Sequence, residues 1–265
     1  MEPRLDRRGM NIRILGAHDR ESRSSRFTCL LIDDVLAIDA GALSSSLSFR
    51  AQQRLKAILL THQHYDHIRD IPAVGINLFS LGRAMDVYAT QTVRDVLTEH
   101  LLNGTLYPRL LELPEASPAL RFTVVEPYQP LDVEGYSVLP VPVSHAVPTV
   151  GYQLSSPSGG VVFYTADTGS GLGRCWEHVS PQLLITEVTV PDGYERFARV
   201  AGHLTPGLLE RELAAFREMK GYLPPVVVVH MNPRFERQIG AETAKVAEAV
   251  GTSISLAYRG MELHV

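Results

Sequence analysis

Six short apolar runs, each followed within three residues by a histidine or an acidic side chain, constrain the fold of this chain more than any other feature of its sequence. The runs with their polar ends are VLAIDAG (35–41), AILLTHQH (57–64), VLPVPVSH (138–145), VVFYTAD (161–167), LLITE (183–187) and VVVVH (226–230). Apolar runs of this length, rich in β-branched residues, predict buried strands. The polar residue after each run then stands at the end of a strand.

Helical patterns lie between some of these strands. The segments QTVRDVLTEHLLNG (91–104) and TPGLLERELAAFREMKG (205–221) each carry an apolar stripe at helical spacing. The second predicts Thr205 as its N-cap and Gly221 as its end. Residues 121–154, in contrast, predict only strands. This mixture predicts a layered α/β architecture.

Composition limits the class of protein. The 265 residues are 45% hydrophobic and carry a net charge of −4, which fits one domain over residues 11–265 and gives no reason to expect stable DNA binding. Two cysteines are too few for a disulfide framework, and no apolar run is long enough to cross a membrane. We therefore expect a cytoplasmic protein. Residues 1–10 predict a flexible tail, within which Met10 is an alternative start to Met1.

The polar residues that follow the strands are expected to meet. In α/β proteins the carboxyl ends of the strands form the edge at which ligands bind. The side chains that fall at this edge are Asp39, His62, His145, Asp167, Glu187 and His230. They predict one polar site.

The motif THQHYDH (61–67) is the densest set of metal-ligand side chains in the chain. In extended backbone, His62, His64 and Asp66 project to one side, and His67 turns in as the chain leaves the strand. Zn²⁺ prefers such nitrogen and oxygen ligands. The alternative is a polar surface loop, but unpaired imidazoles directly after a buried strand are expensive to desolvate.

His145, Asp167 and His230 extend this set to seven ligands. Each of the three alone could be an ordinary core or surface residue. Seven ligands exceed what one tetrahedral ion can use, and they fit two ions roughly 3.5–4 Å apart that share a carboxylate.

The pattern HxHxDH, preceded by IDAG and followed by strand-end histidine, aspartate and histidine, resembles the metallo-β-lactamase superfamily across residues 11–235. The resemblance implies an αβ/βα four-layer sandwich, with two mixed β-sheets flanked by helices and two metal ions at one edge. It further implies that Asp39 orients the ligand loop. His64 favours hydrolysis, because the flavo-diiron redox branch of that family usually has glutamate here. Zn²⁺ is the first expectation, although Mn²⁺ and iron accept the same ligands.

Carried over position by position, the resemblance assigns the ligands to the two ions. The first ion is held by His62, His64 and His145, the second by Asp66, His67 and His230, and Asp167 bridges the two. A metal-bridging hydroxide is then the expected nucleophile, with Asp66 also orienting it.

His203, within GHLTP (202–206), has three interpretations: a residue beside a helix cap, an eighth metal ligand, or a general acid. The stretch ITEVTVPDGYERFARVAGHLTP (185–206) resembles the phosphodiesterase branches of the superfamily, namely ribonuclease Z and the class II cyclic nucleotide phosphodiesterases, and HMNPRF (230–235) resembles their ending. The resemblance implies that Glu187 orients His203 and that His203 protonates the leaving alkoxide.

The substrate expected from this resemblance is a small phosphodiester such as a cyclic nucleotide. Only residues 146–166 separate His145 from Asp167, which leaves no room there for the long arm with which ribonuclease Z grips tRNA, and Thr186 replaces a histidine of that branch. The alternatives are a tRNA 3′-processing ribonuclease, a lactonase, a thioesterase, a β-lactamase, or a metal-bearing nucleotide sensor without activity.

Two further residues are candidates for substrate binding. Arg234 lies four residues beyond a predicted ligand and could contact phosphate, and His18 could line the cleft from the loop after the first strand. The arginines of that loop alternate with acids, which favours a solvated loop. A homodimer is the default expectation for such an enzyme.

Overall fold

Two seven-stranded sheets organise the chain in a computed structural model that describes residues 9–265. With strands numbered in chain order, the first sheet contains β1 (Asn11–Gly16), β2 (Cys29–Ile32), β3 (Leu36–Ile38), β4 (Ala57–Leu59), β5 (Met85–Ala89), β6 (Leu120–Val124) and β14 (Glu262–His264). The second contains β7 (Leu131–Val133), β8 (Tyr136–Val143), β9 (Thr149–Ser155), β10 (Val161–Tyr164), β11 (Leu183–Glu187), β12 (Val226–Val229) and β13 (Ile254–Leu256).

Both sheets are mixed. The first has the order β14-β1-β2-β3-β4-β5-β6, with β3 to β6 parallel and the other pairs antiparallel. The second has the order β13-β12-β11-β10-β9-β8-β7, with β10 to β13 parallel. The parallel strands β3, β4, β10, β11 and β12 are five of the six strands whose polar ends the sequence predicts to converge, and the sixth, β8, is antiparallel to both of its neighbours.

Helices follow the strands on the outer side of each sheet. They are α1 (Leu43–Ser46), α2 (Phe49–Gln52), α3 (Tyr65–Ile68), α4 (Ile71–Phe79), α5 (Gln91–Val96), α6 (Gly173–His178), α7 (Glu195–Ala201), α8 (Pro206–Lys220) and α9 (Glu236–Val250). The first five follow strands of the first sheet, and the last four follow strands of the second.

Alternation along the strands sorts the apolar side chains into two clusters. On β2, Leu30 and Ile32 belong to a cluster shared with the second sheet, whereas Cys29 and Leu31 pack in the cluster with α1, α4 and α5. This period of two is what a strand with both faces covered requires. The predicted αβ/βα sandwich, with two mixed sheets flanked by helices, is therefore confirmed.

The second predicted helix is confirmed, and the first has a different form. Thr205 caps α8, since its side chain accepts a hydrogen bond from the Leu208 amide, and Gly221 ends it at φ 78°. The segment predicted as one helix over 91–104 is α-helical only to Val96, after which residues 97–101 form a π-helical turn. The wider turn keeps Leu97 and Leu102 both buried.

The predicted tail over residues 1–10 lies mostly outside the described residues, which begin at Gly9. At Met10 the prediction is wrong. Met10 is buried, and its backbone exchanges two hydrogen bonds with Val265, at 2.8 and 3.0 Å. Within residues 9–265, every helix is too short or too polar to cross a bilayer.

Replacing the α8 cap should destabilise the fold. Thr205→Ala leaves the Leu208 amide without its partner at a buried helix start, so we expect the free energy of unfolding to fall by about 1 kcal/mol. Urea denaturation measures this. The control is Thr105→Ala at an exposed loop position, and equal losses in both variants would contradict the capping role.

Candidate metal centre

The candidate site lies where five parallel strands from the two sheets end. Asp39 follows β3, the motif 61–67 follows β4, Asp167 follows β10, Glu187 ends β11 and His230 follows β12. The backbone takes left-handed conformations at Asp39 and His230, with φ of 59° and 58°. Such conformations cost energy for residues other than glycine, and they turn each side chain sharply out of its strand.

Three imidazole nitrogens form a first cluster. His62 Nε2 lies 3.0 Å from His64 Nδ1, and His145 Nε2 lies 3.2 Å from the same atom. Asp167 Oδ2 closes the cluster, at 3.8 Å from His62 and 3.9 Å from His145. The four donor atoms therefore face one point.

A second cluster shares Asp167 with the first. Asp66 Oδ2 lies 3.5 Å from His67 Nε2 and 3.2 Å from His230 Nε2. Asp167 presents Oδ1 to His67 at 3.3 Å and Oδ2 to His230 at 3.2 Å. The structure thus brings all seven predicted ligands together in two groups that meet at one carboxylate.

These donors suit divalent metal ions. Four ligands at bond lengths of 2.0–2.1 Å around a tetrahedral ion are about 3.3 Å from one another, close to the separations above. Within residues 9–265, the buried atoms His67 Nε2 and Asp167 Oδ1 have no hydrogen-bond partner. Buried polar atoms without partners are costly, and a cation between them would satisfy both.

Asp39 orients the ligands that follow β4. Its buried carboxylate accepts hydrogen bonds from the amide and hydroxyl of Thr61, both at 2.9 Å, and lies 2.7 Å from His67 Nδ1. The Thr61 hydroxyl also lies 2.9 Å from His62 Nδ1. Because Nδ1 of each imidazole is held in this way, Nε2 is left for a metal.

The other two strand-end histidines are held in the same manner. His145 Nδ1 donates to the Gly202 carbonyl at 2.8 Å, and His230 Nδ1 lies 2.9 Å from the Thr189 hydroxyl. Gly202 has φ 74°, and a Cβ there would stand 2.9 Å from the Ala146 amide nitrogen. Only glycine allows this close approach.

Burial and neighbouring charges divide the histidines into two sets. Burial lowers the pKa of His62, His64 and His145, so these imidazoles are neutral, which is the form that binds metal. At His67 and His230 burial has the same direction, but the acidic neighbours together outweigh it and raise the pKa: Asp167, Asp39 and Asp66 at His67, and Asp167, Asp66 and Glu187 at His230.

The acidic ligands remain ionised. Burial opposes ionisation of Asp66, but the charge of His67 and the hydrogen bond from His230 lower its pKa to about 2. Burial likewise opposes ionisation of Asp167, and the charges of His230 and His67 bring its pKa well below the usual range. Both carboxylates are thus ready to bind a cation at neutral pH.

Glu187 and His203 form a pair at the border of the site. His203 Nδ1 lies 2.7 Å from Glu187 Oε1, and the Glu187 carboxylate, which is fully buried, also accepts from the amides of Thr168 and Leu204. Burial lowers the pKa of His203, but the charge and hydrogen bond of Glu187 outweigh it and raise the pKa to about 9. His203 is therefore a protonated imidazole at neutral pH.

His203 lies beside both clusters but belongs to neither of the two groups of ligands that share Asp167. Its ring stacks on that of His230 at a centroid distance of 5.4 Å and lies 5.1 Å from that of His145. Glu187, His203 and His230 could themselves surround an ion, so the interpretation of His203 as an eighth ligand stays open to measurement.

The backbone of the ligand motif differs from the prediction. The alternating pattern predicts Asp66 in extended backbone, on the same side as His62 and His64, and this prediction is wrong. Residues 65–68 form a helical turn, and the His67 amide bonds to the His64 carbonyl at 3.0 Å. The turn, rather than the strand period, carries Asp66 and His67 to the second cluster.

The two candidate substrate-binding residues have different places. Arg234 lies on the wall of a cleft of about 380 Å³. We call this the aromatic cleft, and its lining residues are Arg20, Val190, Tyr194, Phe197, Asn232, Pro233, Arg234 and Phe235. His18 is not part of that wall. It is buried, with Nε2 3.3 Å from the Glu236 carboxylate.

Three residues support the site in roles that the sequence motifs do not identify. Thr189, Gly202 and Tyr164 hold His230, His145 and Asp39 respectively. Threonine and tyrosine in apolar strands are common, and a backbone carbonyl leaves no trace in the sequence, so only the three-dimensional contacts reveal these roles.

Two curated relatives match parts of the chain. An octanoyltransferase of Porphyromonas gingivalis is 27% identical over 154 residues, which are 55% of this chain and 30% of that protein. A 3′,5′-cyclic-nucleotide phosphodiesterase of Schizosaccharomyces pombe is 32% identical over 108 residues, or 40% of this chain and 29% of that protein. The chain thus spans less than a third of the length of each of these relatives.

Solved structures resemble the fold over nearly its whole length. Unliganded yeast PDE1 superposes with a TM-score of 0.85 at 18% identity, over 97% of this chain and 100% of the other. The metallo-beta-lactamase fold protein YhfI of Bacillus subtilis gives 0.77 at 18% identity, over 97% and 100%. The short form of human tRNase Z gives 0.69 at 18% identity, over 96% and 99%.

The Beta-lactamase superfamily domain matches residues 29–231, the part of the chain that contains all seven predicted ligands together with Glu187 and His203. With the fold and the clustered donors described above, this match establishes that the chain belongs to the beta-lactamase superfamily of metal-dependent hydrolases.

Proposed function

We propose that this protein is a dinuclear metal-dependent phosphodiesterase that hydrolyses a small phosphodiester such as a cyclic nucleotide. The observation that carries the proposal is the pair that the half-buried His203 forms with the buried Glu187, with Nδ1 and Oε1 2.7 Å apart, beside the two ligand clusters. Metal ligands alone fit many hydrolases. A protonated histidine next to them fits a reaction whose leaving group needs a proton.

The ligand clusters define how the ions would be held. His62, His64 and His145 would hold one ion, Asp66, His67 and His230 the other, and Asp167 would contact both. When bound, two divalent ions would supply a water nucleophile at neutral pH and neutralise charge on the phosphoryl oxygens. We propose Zn²⁺ as the ion, because imidazole and carboxylate donors at these separations suit it, with Mn²⁺ and iron as alternatives.

Asp66 has the position of a group that orients water. Its Oδ2 faces His67 and His230, and its side chain keeps 23% of its surface exposed. Since its pKa of about 2 leaves it ionised, it can accept a hydrogen bond from a water molecule at the open side of the clusters.

His203 would supply the proton for the leaving oxygen. Glu187 occupies Nδ1 of His203, so Nε2 is the nitrogen left to face a substrate. Hydrolysis of an alkyl phosphodiester releases an alkoxide, and transfer of the Nε2 proton turns that alkoxide into a neutral alcohol. Before this proton transfer, the Glu187 carboxylate would stabilise the His203 imidazolium and fix the orientation of its ring.

Two observations support a small nucleotide-like substrate. The 108 residues shared with the fission yeast protein at 32% identity come from an enzyme named for 3′,5′-cyclic nucleotides. Arg234 is exposed on the wall of the aromatic cleft, two residues beyond Asn232 and four beyond His230. Its guanidinium is available to an anionic phosphate.

A substrate panel tests the proposal. Protein loaded with Mn²⁺ or Zn²⁺ should hydrolyse bis(p-nitrophenyl) phosphate and cyclic AMP, and should leave a lactone and a cephalosporin intact, because two adjacent cations and the exposed guanidinium of Arg234 suit the anionic phosphate of a diester. Steady-state rates, with metal content measured on the same sample, give the result.

Two outcomes of this panel would contradict the proposal. Turnover of the lactone or cephalosporin without phosphodiester turnover would indicate another hydrolase of the superfamily. Tight binding of a nucleotide that is returned unhydrolysed by metal-loaded protein would indicate a sensor.

The pH dependence of kcat should report the acid. Because the folded pKa of His203 is raised to about 9, its proton is present below that pH and lost above it, so kcat should fall on the alkaline side. Bound cations add positive charge, which lowers the pKa of His203, so the alkaline limb of the metal-loaded protein should lie at or below pH 9. Glu187→Gln removes the charge that raises the pKa, and the limb should shift to lower pH.

The matched control for this pH profile is Glu195→Gln, which changes an exposed acid on α7 that pairs with Arg199. It should leave the limb in place. The Glu187→Gln variant must first show cooperative thermal unfolding. If its alkaline limb is then unchanged, the limb does not report the titration of His203, and the role of His203 as the acid is contradicted.

A further inference from the structure

The aromatic cleft adjoins the metal centre through the chain itself. Asn232 on its wall is two residues beyond His230, so the two Cα atoms lie within about 8 Å of each other. Val190, also on the wall, follows Thr189, whose hydroxyl contacts both His203 and His230. The wall of the cleft is therefore continuous in the chain with residues that hold the ligand clusters.

Aromatic rings dominate the outer part of this cleft. Tyr194 and Phe197 are 45% and 52% exposed, and the Tyr194 ring lies 4.8 Å from that of Phe235 at an angle of 42°. Single exposed aromatic side chains are ordinary on a protein surface. Two of them around one concave space, with the half-buried Phe235 that packs against the apolar core, form a surface that suits a flat aromatic ligand.

Positive charge lies on the same wall. The Arg234 guanidinium stands 5.5 Å from the centroid of the Phe235 ring, and within residues 9–265 it pairs with no carboxylate. Arg20 reaches the cleft from the loop after β1, and its Nε lies 3.5 Å from Asp19. Guanidinium groups stack on aromatic faces and bind phosphate, so both parts of a nucleotide find partners here.

Hydrogen bonds within and around residues 230–235 hold the wall of the aromatic cleft in place. The Asn232 side chain accepts a hydrogen bond from the Arg234 amide at 3.1 Å and donates to Asp19 at 3.3 Å. The Asn232 amide in turn bonds to the Thr189 carbonyl at 3.0 Å. The wall is thereby tied to the same residues that hold His230.

We infer that the aromatic cleft is a nucleobase subsite, in which Tyr194 and Phe197 stack on the base of a nucleoside phosphodiester whose phosphate lies at the metal centre. The volume of about 380 Å³ lies within the range of small-molecule sites. The inference rests on the proposed phosphodiesterase function. It narrows the substrates to nucleotides whose base stays attached to the phosphate that is cleaved, either through the ester group that does not leave or as part of a cyclic nucleotide.

Two chromogenic esters with the same leaving group test this inference. Thymidine 5′-(p-nitrophenyl phosphate) and methyl p-nitrophenyl phosphate both release p-nitrophenolate, and only the first carries a base. Wild-type protein should prefer the nucleoside ester in kcat/KM. In the double variant Tyr194→Leu/Phe197→Leu the ratio of the two kcat/KM values should fall about tenfold or more, mainly through KM, because stacking on the base is lost.

The matched control is Phe49→Leu, which replaces an aromatic side chain that is 68% exposed on α2, outside the aromatic cleft. It should keep the wild-type ratio. A ratio that is unchanged in the double variant would overturn the inference, and so would an equal fall in the control. Both replaced residues of the double variant are about half exposed, so its thermal unfolding should stay close to that of the wild type.

The outcome also separates this inference from the proposed function. If metal-loaded wild-type protein cleaves neither ester, the proposed function is wrong, and calorimetric binding of AMP and of ribose 5-phosphate then tests the cleft alone. Wild-type protein should bind AMP about tenfold more tightly, and the double variant should lose that difference. Equal binding of the two ligands by wild-type protein would overturn the nucleobase subsite.

Discussion

The rest of the site depends on one buried carboxylate, that of Asp39. It accepts hydrogen bonds from Thr61 at the end of β4 and from Tyr164 on β10, and it holds Nδ1 of His67. These contacts join the two sheets at the edge where the ligands meet. Leaving such a charge buried without its partners costs several kcal/mol. The group that orients the ligands therefore also helps to fix the packing of the sheets.

A second network links the two ligand clusters to His203, the proposed acid. The Thr189 hydroxyl donates to Glu187 at 2.6 Å and lies 2.9 Å from His230 Nδ1. The Thr168 amide, next to Asp167, which belongs to both clusters, donates to Glu187 as well. Since the pair Glu187–His203 shares these contacts with residues of the clusters, the strands that position the ligands also position His203. In the proposed mechanism, metal-dependent attack and protonation of the leaving group then act on one substrate.

Much of this arrangement follows from the sequence. The apolar runs identify the strands, and strand ends at one edge bring Asp39, Asp167 and His230 together. The helical turn at residues 65–68 does not follow, because a single hydrogen bond from His67 to His64 replaces the extended backbone that the alternating pattern predicts. The aromatic cleft does not follow either. Its residues come from three separate segments of the chain, and only the tertiary fold brings them to one wall.

The most direct test of His203 as the acid compares two leaving groups. His203→Ala should lower kcat about 10²–10⁴-fold for cyclic AMP, whose ribose alkoxide needs a proton, and far less for bis(p-nitrophenyl) phosphate, whose phenolate is stable without one. Two metal ions per chain should remain bound. Equal losses with both substrates would contradict the account, and so would the loss of an ion, which would make His203 a ligand.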